Sequence, residues 1–302
     1  MTSFKKYLVA IMMTATLAGT MAAQHDKTAY YKACSYEYGG ITLPYRELVL
    51  NQDKTGPSML VIQLHGGSAR GDDNAAQLGA SAVDSVEMFL RVHQYKAVFL
   101  LPQCGKDRVW NESKRSQSIP MTEVLTHWLQ DYVTNHDIDT TRVYITGYSA
   151  GGSGTWRMLN DNPHTFAAAC VAAATPLMVE AENVKHTPVY AIAGDNDAIM
   201  DADKIETFVN AICDMGGTAR FDLLEGKDHF ATCDEAFTRE RLAWMFGHSR
   251  ETSSVARVAA DRQEKRVVGL YAIDGTILND GATGLVIVRY SDGTATKTIR
   301  QR

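Results

Sequence analysis

Between Arg142 and Trp156 the chain reads Arg142-Val143-Tyr144-Ile145-Thr146-Gly147-Tyr148-Ser149-Ala150-Gly151-Gly152-Ser153-Gly154-Thr155-Trp156, and no other stretch restricts the possible fold as much. Val143, Tyr144, Ile145 and Thr146 are β-branched or aromatic, the residue types that favour a strand. The strand runs directly into Gly147-Tyr148-Ser149-Ala150-Gly151, which has the G-x-S-x-G spacing of a nucleophile elbow, a sharp strand-to-helix turn that lifts a serine hydroxyl above a sheet. Such a turn is so tight that the positions two before and two after the serine must be nearly free of side chain; Gly147 and Gly151 occupy them. Five residues alone match by chance often. A strand before them and a helix after them, at mid-chain, give the pattern its weight.

Length bounds what surrounds this turn. With 302 residues and 45% hydrophobic content the chain can bury one large core together with a small appendage. Lys5 and Lys6 precede an apolar run over 7–23 that ends in small residues, the pattern of a secretory leader cleaved near Ala22 or Ala23. Thr14, Thr16, Gly19 and Thr20 interrupt the run, which argues against a membrane anchor. The expected location is therefore secreted, periplasmic or cell-surface, with no stable membrane insertion after cleavage. Losing Lys5 and Lys6 takes the net charge from −5 to −7, and 251–302 carry eight basic and six acidic side chains, which leaves −9 over 24–250. An acidic body of this kind is a poor partner for nucleic acid, which needs clustered Lys and Arg. The five cysteines are widely spaced without a C-x-x-C pair, and no nucleotide or metal motif is present, so no cofactor and no metal are expected.

Taken in order, strand and helix patterns alternate from about residue 43 to 250. Apolar runs over 59–64, 97–101, 167–173 and 188–193 read as strands buried on both faces, joined by a further strand over 219–224. Helices are predicted over 75–93, 121–135, 153–160, 201–215 and 234–247. Asp73-Asn74 would cap the first of them and Asp201 the fourth. The expected architecture is α/β, a doubly wound, mostly parallel sheet. Two loops stand out. His65-Gly66-Gly67-Ser68 follows a buried strand and offers backbone N–H groups that glycines allow to approach a substrate closely. The polar stretch 105–120 is long, and its Trp110 is a candidate for the pocket wall, as is Tyr148 beside the serine.

A serine hydroxyl needs a base near neutral pH, and nine histidines compete for that role. Only His229 lies in a strand-to-helix loop after the candidate acids. Among those acids Asp195 could instead shape its turn and Asp201 could cap a helix, which favours Asp197. Ser149, Asp197 and His229 then fall in the chain order Ser…Asp…His, each just past the end of a predicted strand.

On these residues the chain resembles α/β-hydrolases of the group that joins prolyl-oligopeptidase-like predicted peptidases with feruloyl and acetylxylan esterases. The similarity spans roughly 43–250. It rests on Leu43-Pro44-Tyr45-Arg46, Leu64-His65-Gly66-Gly67 with Arg70-Gly71 and Asp73-Asn74, Pro102-Gln103-Cys104, the elbow, Gly194-Asp195-Asn196-Asp197, and His229 followed by a helix with Trp244. The resemblance implies that the acid stands three residues after Gly194, and that the N–H groups of Gly67 and Ala150 form the oxyanion hole. The group usually has methionine where Ala150 stands, but alanine keeps the N–H. The resemblance further implies a secreted serine hydrolase cleaving carboxylic esters of polysaccharides or other acylated substrates. A peptidase and a catalytically silent binding protein are the alternatives.

After Arg250 the composition changes. The stretch 251–265 reads as a polar linker, and 266–302 contains three β-prone runs separated by Asp-Gly signals, the pattern of a small antiparallel sheet. Through Tyr271-Ala272-Ile273-Asp274-Gly275 and Gly284-Leu285-Val286-Ile287-Val288-Arg289-Tyr290 it resembles the C-terminal sorting domains of proteins exported by the Bacteroidetes type IX system, which implies secretion machinery as a partner. The alternative is a set of extra strands packed on the core.

Overall fold

The computed structural model describes residues 26–112, 118–250, 267–272, 276–279, 282, 284–290 and 295–300. The leader, the whole 251–265 linker and five residues of the 105–120 loop lie outside them. An eight-stranded sheet organises the chain: β1 (Lys32–Tyr38), β2 (Ile41–Leu50), β3 (Ser58–Leu64), β4 (Ala97–Pro102), β5 (Ile138–Tyr148), β6 (Ala168–Ala172), β7 (Val189–Gly194) and β8 (Ala219–Leu224) stand in the order β1-β2-β4-β3-β5-β6-β7-β8. β1 and β2 form an antiparallel hairpin, and β2 pairs antiparallel with β4. From β4 to β8 every pairing is parallel. Every residue of β3, β4, β6 and β7 is buried, as their uninterrupted apolar runs require when helices cover both faces.

The covering helices are α1 (Ser81–Val92), α2 (Met121–Asn135), α3 (Ala150–Asp161), α4 (Ala181–Val184), α5 (Ala202–Asp214), α6 (His229–Glu235) and α7 (Arg239–Phe246). One hydrophobic cluster packs α2, α3 and α5 around Trp128 and Trp156; the other packs α1 and α7 around Phe89 and Phe246. Two predicted helices are divided. The 75–93 helix becomes a 3-10 turn, Ala76–Gly79, followed by α1, with extended Ala80 between them. The 234–247 helix becomes α6 and α7, because Asp228 accepts from the Ala231 N–H and starts a helix five residues early, while Thr238 caps a second one through Arg241 N–H. β5 also begins earlier than its apolar core suggests. Asp139, four residues before Val143, joins the strand, accepts from the Thr141 N–H and pairs with Arg142 at 2.6 Å.

Among the described C-terminal residues, β9 (Val267–Tyr271), β10 (Ile277–Leu278), β11 (Gly284–Tyr290) and β12 (Ala295–Arg300) form a separate antiparallel sheet in the order β10-β9-β11-β12. Its buried residues, Leu270, Val286 and Val288, form a hydrophobic cluster distinct from the other two.

The loop after β3 is fixed by polar contacts. Cys104 N–H donates to His65 Nε2 at 2.9 Å, so the ring proton sits on Nδ1 and is donated to the Gly66 carbonyl at 2.7 Å. The Trp110 indole N–H donates to the His65 carbonyl at 3.1 Å. His65 is 2% exposed, and burial pushes its imidazole from 6.5 down to about 4. Because the folded value lies below the unfolded one, the unfolded chain takes up the proton first. This contribution to stability is complete above about pH 6.5 and is lost as pH falls toward about 4, with a ceiling of roughly 3 kcal/mol. Thermal midpoints at pH 7 and 4.5 should therefore drop further for the natural protein than for His65→Asn. Equal drops would show that His65 does not carry this linkage.

Candidate active site

The end of β5 and the start of α3 form a turn as tight as the glycine spacing requires. Ser149 adopts φ 53° and ψ −124°, a conformation in which a non-glycine residue is strained. A Cβ on Gly151 would overlap the carbonyls of Leu64 and His65, and one on Gly147 would overlap the Gly151 carbonyl. Only bare backbone lets α3 start this close to the end of β3.

The structure brings Ser149, His229 and Asp197 together. Ser149 Oγ lies 2.8 Å from His229 Nε2, and His229 Nδ1 lies 2.8 Å from Asp197 Oδ2. The other Asp197 oxygen accepts the N–H groups of Ile199 and Met200, both at 2.8 Å, which locks the carboxylate against the ring. The pair is shielded, with side chains 7% exposed for His229 and 1% for Asp197. Asp195 is exposed, and Asp201 caps α5 through the Lys204 N–H at 3.1 Å. The other described histidines are engaged elsewhere: His93, His127, His136 and His248 each lie against an aromatic ring, and His164 and His186 against each other.

Two backbone donors open helical turns beside Ser149 and the cavity-facing loop after β3. Gly67 opens the 3-10 turn Gly67–Ala69 and Ala150 opens α3, so neither N–H has an intrahelical acceptor, and the caps Gly66 and Ser149 supply no side-chain bond. Ala150 also sits where the positive end of the α3 dipole favours negative charge.

A cavity of about 490 Å³ opens over Ser149. Small residues of the 3-10 turn and the first residue of α1, among them Ala76, Gly79, Ala80 and Ser81, line one part of it. α6 supplies another wall with His229, Phe230, Cys233 and Asp234, and Ile199 completes an apolar rim on which Phe230 is 71% and Ile199 61% exposed. Burial, aided by Asp197, Asp234 and Asp228, pushes the Cys233 thiol up to about 12, which keeps it protonated near neutral pH. All five cysteines are free.

The two aromatic candidates part company. Tyr148 lines the cavity, its ring 2.6 Å from where a Cβ on Gly66 would lie, and burial raises its phenol. Trp110, expected on the pocket wall, is only 1% exposed and lies outside the lining; it packs behind Gly154 and anchors the His65 carbonyl. An indole with its N–H satisfied is more stable buried than facing water. The α6 wall escaped the sequence reading because the helix was started at Asp234. Begun at His229, it pairs His229 with Cys233 and Phe230 with Asp234, each four residues apart on one face.

Comparison with known proteins bears on the fold and the family. The solved structure of a thermostable esterase superposes with a TM-score of 0.65 at 25% identity, over 74% of this chain and 64% of that one. The chain thus spans less than two thirds of that esterase. The S-formylglutathione hydrolase of Staphylococcus aureus matches 72% of this chain and 98% of its own at a TM-score of 0.53 and 15% identity. A dipeptidyl aminopeptidase IV described as putative, from Bacteroides ovatus, matches 72% of this chain and 35% of its own, with a TM-score of 0.53 and 12% identity. The latter two share the α/β-hydrolase fold. No curated protein matches the chain. The model of the dienelactone hydrolase family matches residues 104–267, a span that holds the elbow, both loops that supply Asp197 and His229, and more than half of the sequence. With that match, the chain belongs to the dienelactone hydrolase family.

Proposed function

We propose that this protein is a serine hydrolase of carboxylic esters, acting through Ser149, His229 and Asp197. The observation that carries the reading is the unbroken pair of 2.8 Å hydrogen bonds from Ser149 Oγ through the His229 ring to Asp197. As Ser149 Oγ bonds to the ester carbonyl carbon, its proton passes to His229 Nε2, and Asp197 stabilises the imidazolium while holding its tautomer. The carbonyl oxygen becomes an oxyanion facing the N–H groups of Gly67 and Ala150. Collapse of the tetrahedral species expels the alcohol, which takes the proton from His229 and leaves an acyl-serine. Water, deprotonated by His229, then attacks that acyl group, and the carboxylic acid is released as the proton returns to Ser149.

The reading extends to acylated polysaccharide or related esters as substrates, to export through the leader, and to the C-terminal sheet as a sorting label. What supports it is the likeness to a thermostable esterase, the leader pattern, and the separate hydrophobic cluster of the C-terminal sheet. A peptide amide would meet the same nucleophile, so a panel of acetylated and feruloylated glycans, short p-nitrophenyl esters and peptide amides decides the substrate class.

Ser149→Ala should lower turnover by roughly 10⁴-fold or more and abolish labelling by a fluorophosphonate, and adding His229→Ala should cost scarcely more, since the two act as a unit. Full labelling of the alanine variant, or additive losses, would overturn the assignment. Asp197→Asn should depress kcat far more than Asp195→Asn, and the opposite order would move the acid to Asp195. A chain ending at Arg250 should keep its hydrolytic rate while losing its route to the cell surface. An insoluble or inactive truncation beside an active full chain would make the tail part of the core.

A further inference from the structure

The α6 wall carries more than an imidazole. Asp234 follows Phe230 by one helical turn, and both open on the cavity above Ser149. Among the described lining residues Asp234 is the sole carboxylate, and neither lysine nor arginine is present. Its exposed carboxylate is held by a neighbouring lining residue: Ser81, the first residue of α1, donates its hydroxyl to Asp234 Oδ1 at 2.8 Å. The cations in the surrounding loops are engaged elsewhere. Lys227 pairs with Glu235 at 2.7 Å, and the Arg70 guanidinium donates to the carbonyls of Gly67 and Arg108. The neighbouring Asp228 spends its carboxylate on the Ala231 N–H.

An ionised carboxylate only accepts hydrogen bonds, and those it accepts from hydroxyls are charge-assisted. Held by one serine, Asp234 keeps Oδ2 and a further lone pair on Oδ1 for a ligand, while the exposed Phe230 ring beside it offers an apolar face. Hydroxyl acceptors next to an aromatic face suit a sugar ring, whose hydroxyls project from its edge and whose C–H groups cover its faces. The same carboxylate repels a negative charge brought into the cavity, and the net charge of −9 over 24–250 adds a field of the same sign. Resting on the ester reading above, we propose that Asp234, positioned by Ser81, sets the specificity of this site: it receives hydroxyls of a polyhydroxylated, uncharged alcohol portion and excludes esters that carry a carboxylate there.

The test uses the full chain and two sugar esters that differ by one carboxylate, an acetylated methyl xyloside and an acetylated methyl glucuronide. The kcat/KM of each is normalised to p-nitrophenyl acetate in the same preparation. The natural protein should prefer the xyloside ester by at least about tenfold. Asp234→Asn, which keeps the shape but removes the charge, should reduce that preference about tenfold, through a higher KM for the xyloside ester and a gain on the glucuronide. Ser81→Ala, which frees the carboxylate without discharging it, should raise KM for the xyloside ester about threefold while the glucuronide stays excluded. An unchanged ratio in Asp234→Asn, with p-nitrophenyl acetate still hydrolysed, would overturn the specificity role alone. Failure of the natural protein to cleave any of the three esters would overturn it together with the ester reading.

Discussion

The contact on which the rest of the molecule depends is one of bare backbone. At Gly151 the first turn of α3 rests on the carbonyls that end β3, a position no side chain can enter. That approach holds Ser149 at φ 53°, a strain of about 1–3 kcal/mol that must be offset by the packing around it. It also brings the start of α3 against the loop carrying Gly67, because that loop is the continuation of β3. On the reading proposed above, backbone donors placed there in advance would cost no reorganisation when charge develops.

What fixes the loop is a set of three hydrogen bonds made by two side chains. The His65 ring bridges the backbone at Cys104 and Gly66, and the Trp110 indole secures the His65 carbonyl from behind. A histidine that stayed protonated near neutral pH could not accept the Cys104 N–H. Burial is what guarantees the neutral form. The Asp197 carboxylate is likewise held by main-chain N–H groups, those of Ile199 and Met200. His65 is fixed in part from the neighbouring loop at Cys104, Asp197 from within its own loop.

Much of this was legible in the sequence, for identifiable reasons. Fully buried parallel strands leave uninterrupted apolar runs, and the elbow leaves paired glycines, so β3 to β7 and the turn at Ser149 could be read directly. The choice of Asp197 over its neighbours agrees with the geometry because Asp201 has the sequence context of a helix cap, the place the structure gives it. The direction of a side chain was not legible. Trp110 has the composition of a pocket wall, yet whether an indole turns toward solvent or toward the core depends on which carbonyl its N–H finds, and His65 lies 45 residues away. The start of α6 was missed because helix length was inferred from apolar spacing. Asp228 begins a helix there through a single cap, which a periodicity count does not register.

On the proposed reading, one seven-residue helix carries both the imidazole and a wall of the cavity, so catalysis and selectivity would share a mechanical support. A volume change at Phe230, Cys233 or Asp234 is transmitted along less than two turns to the ring that must stay 2.8 Å from Ser149. Diversification of substrate range would therefore meet less resistance at the part of the cavity lined by Ala76, Gly79 and Ala80. These belong to, or directly follow, a short turn that bears none of the proposed reacting groups. Relatives that have acquired new substrates should show their changes concentrated in that turn, with the face of α6 comparatively preserved.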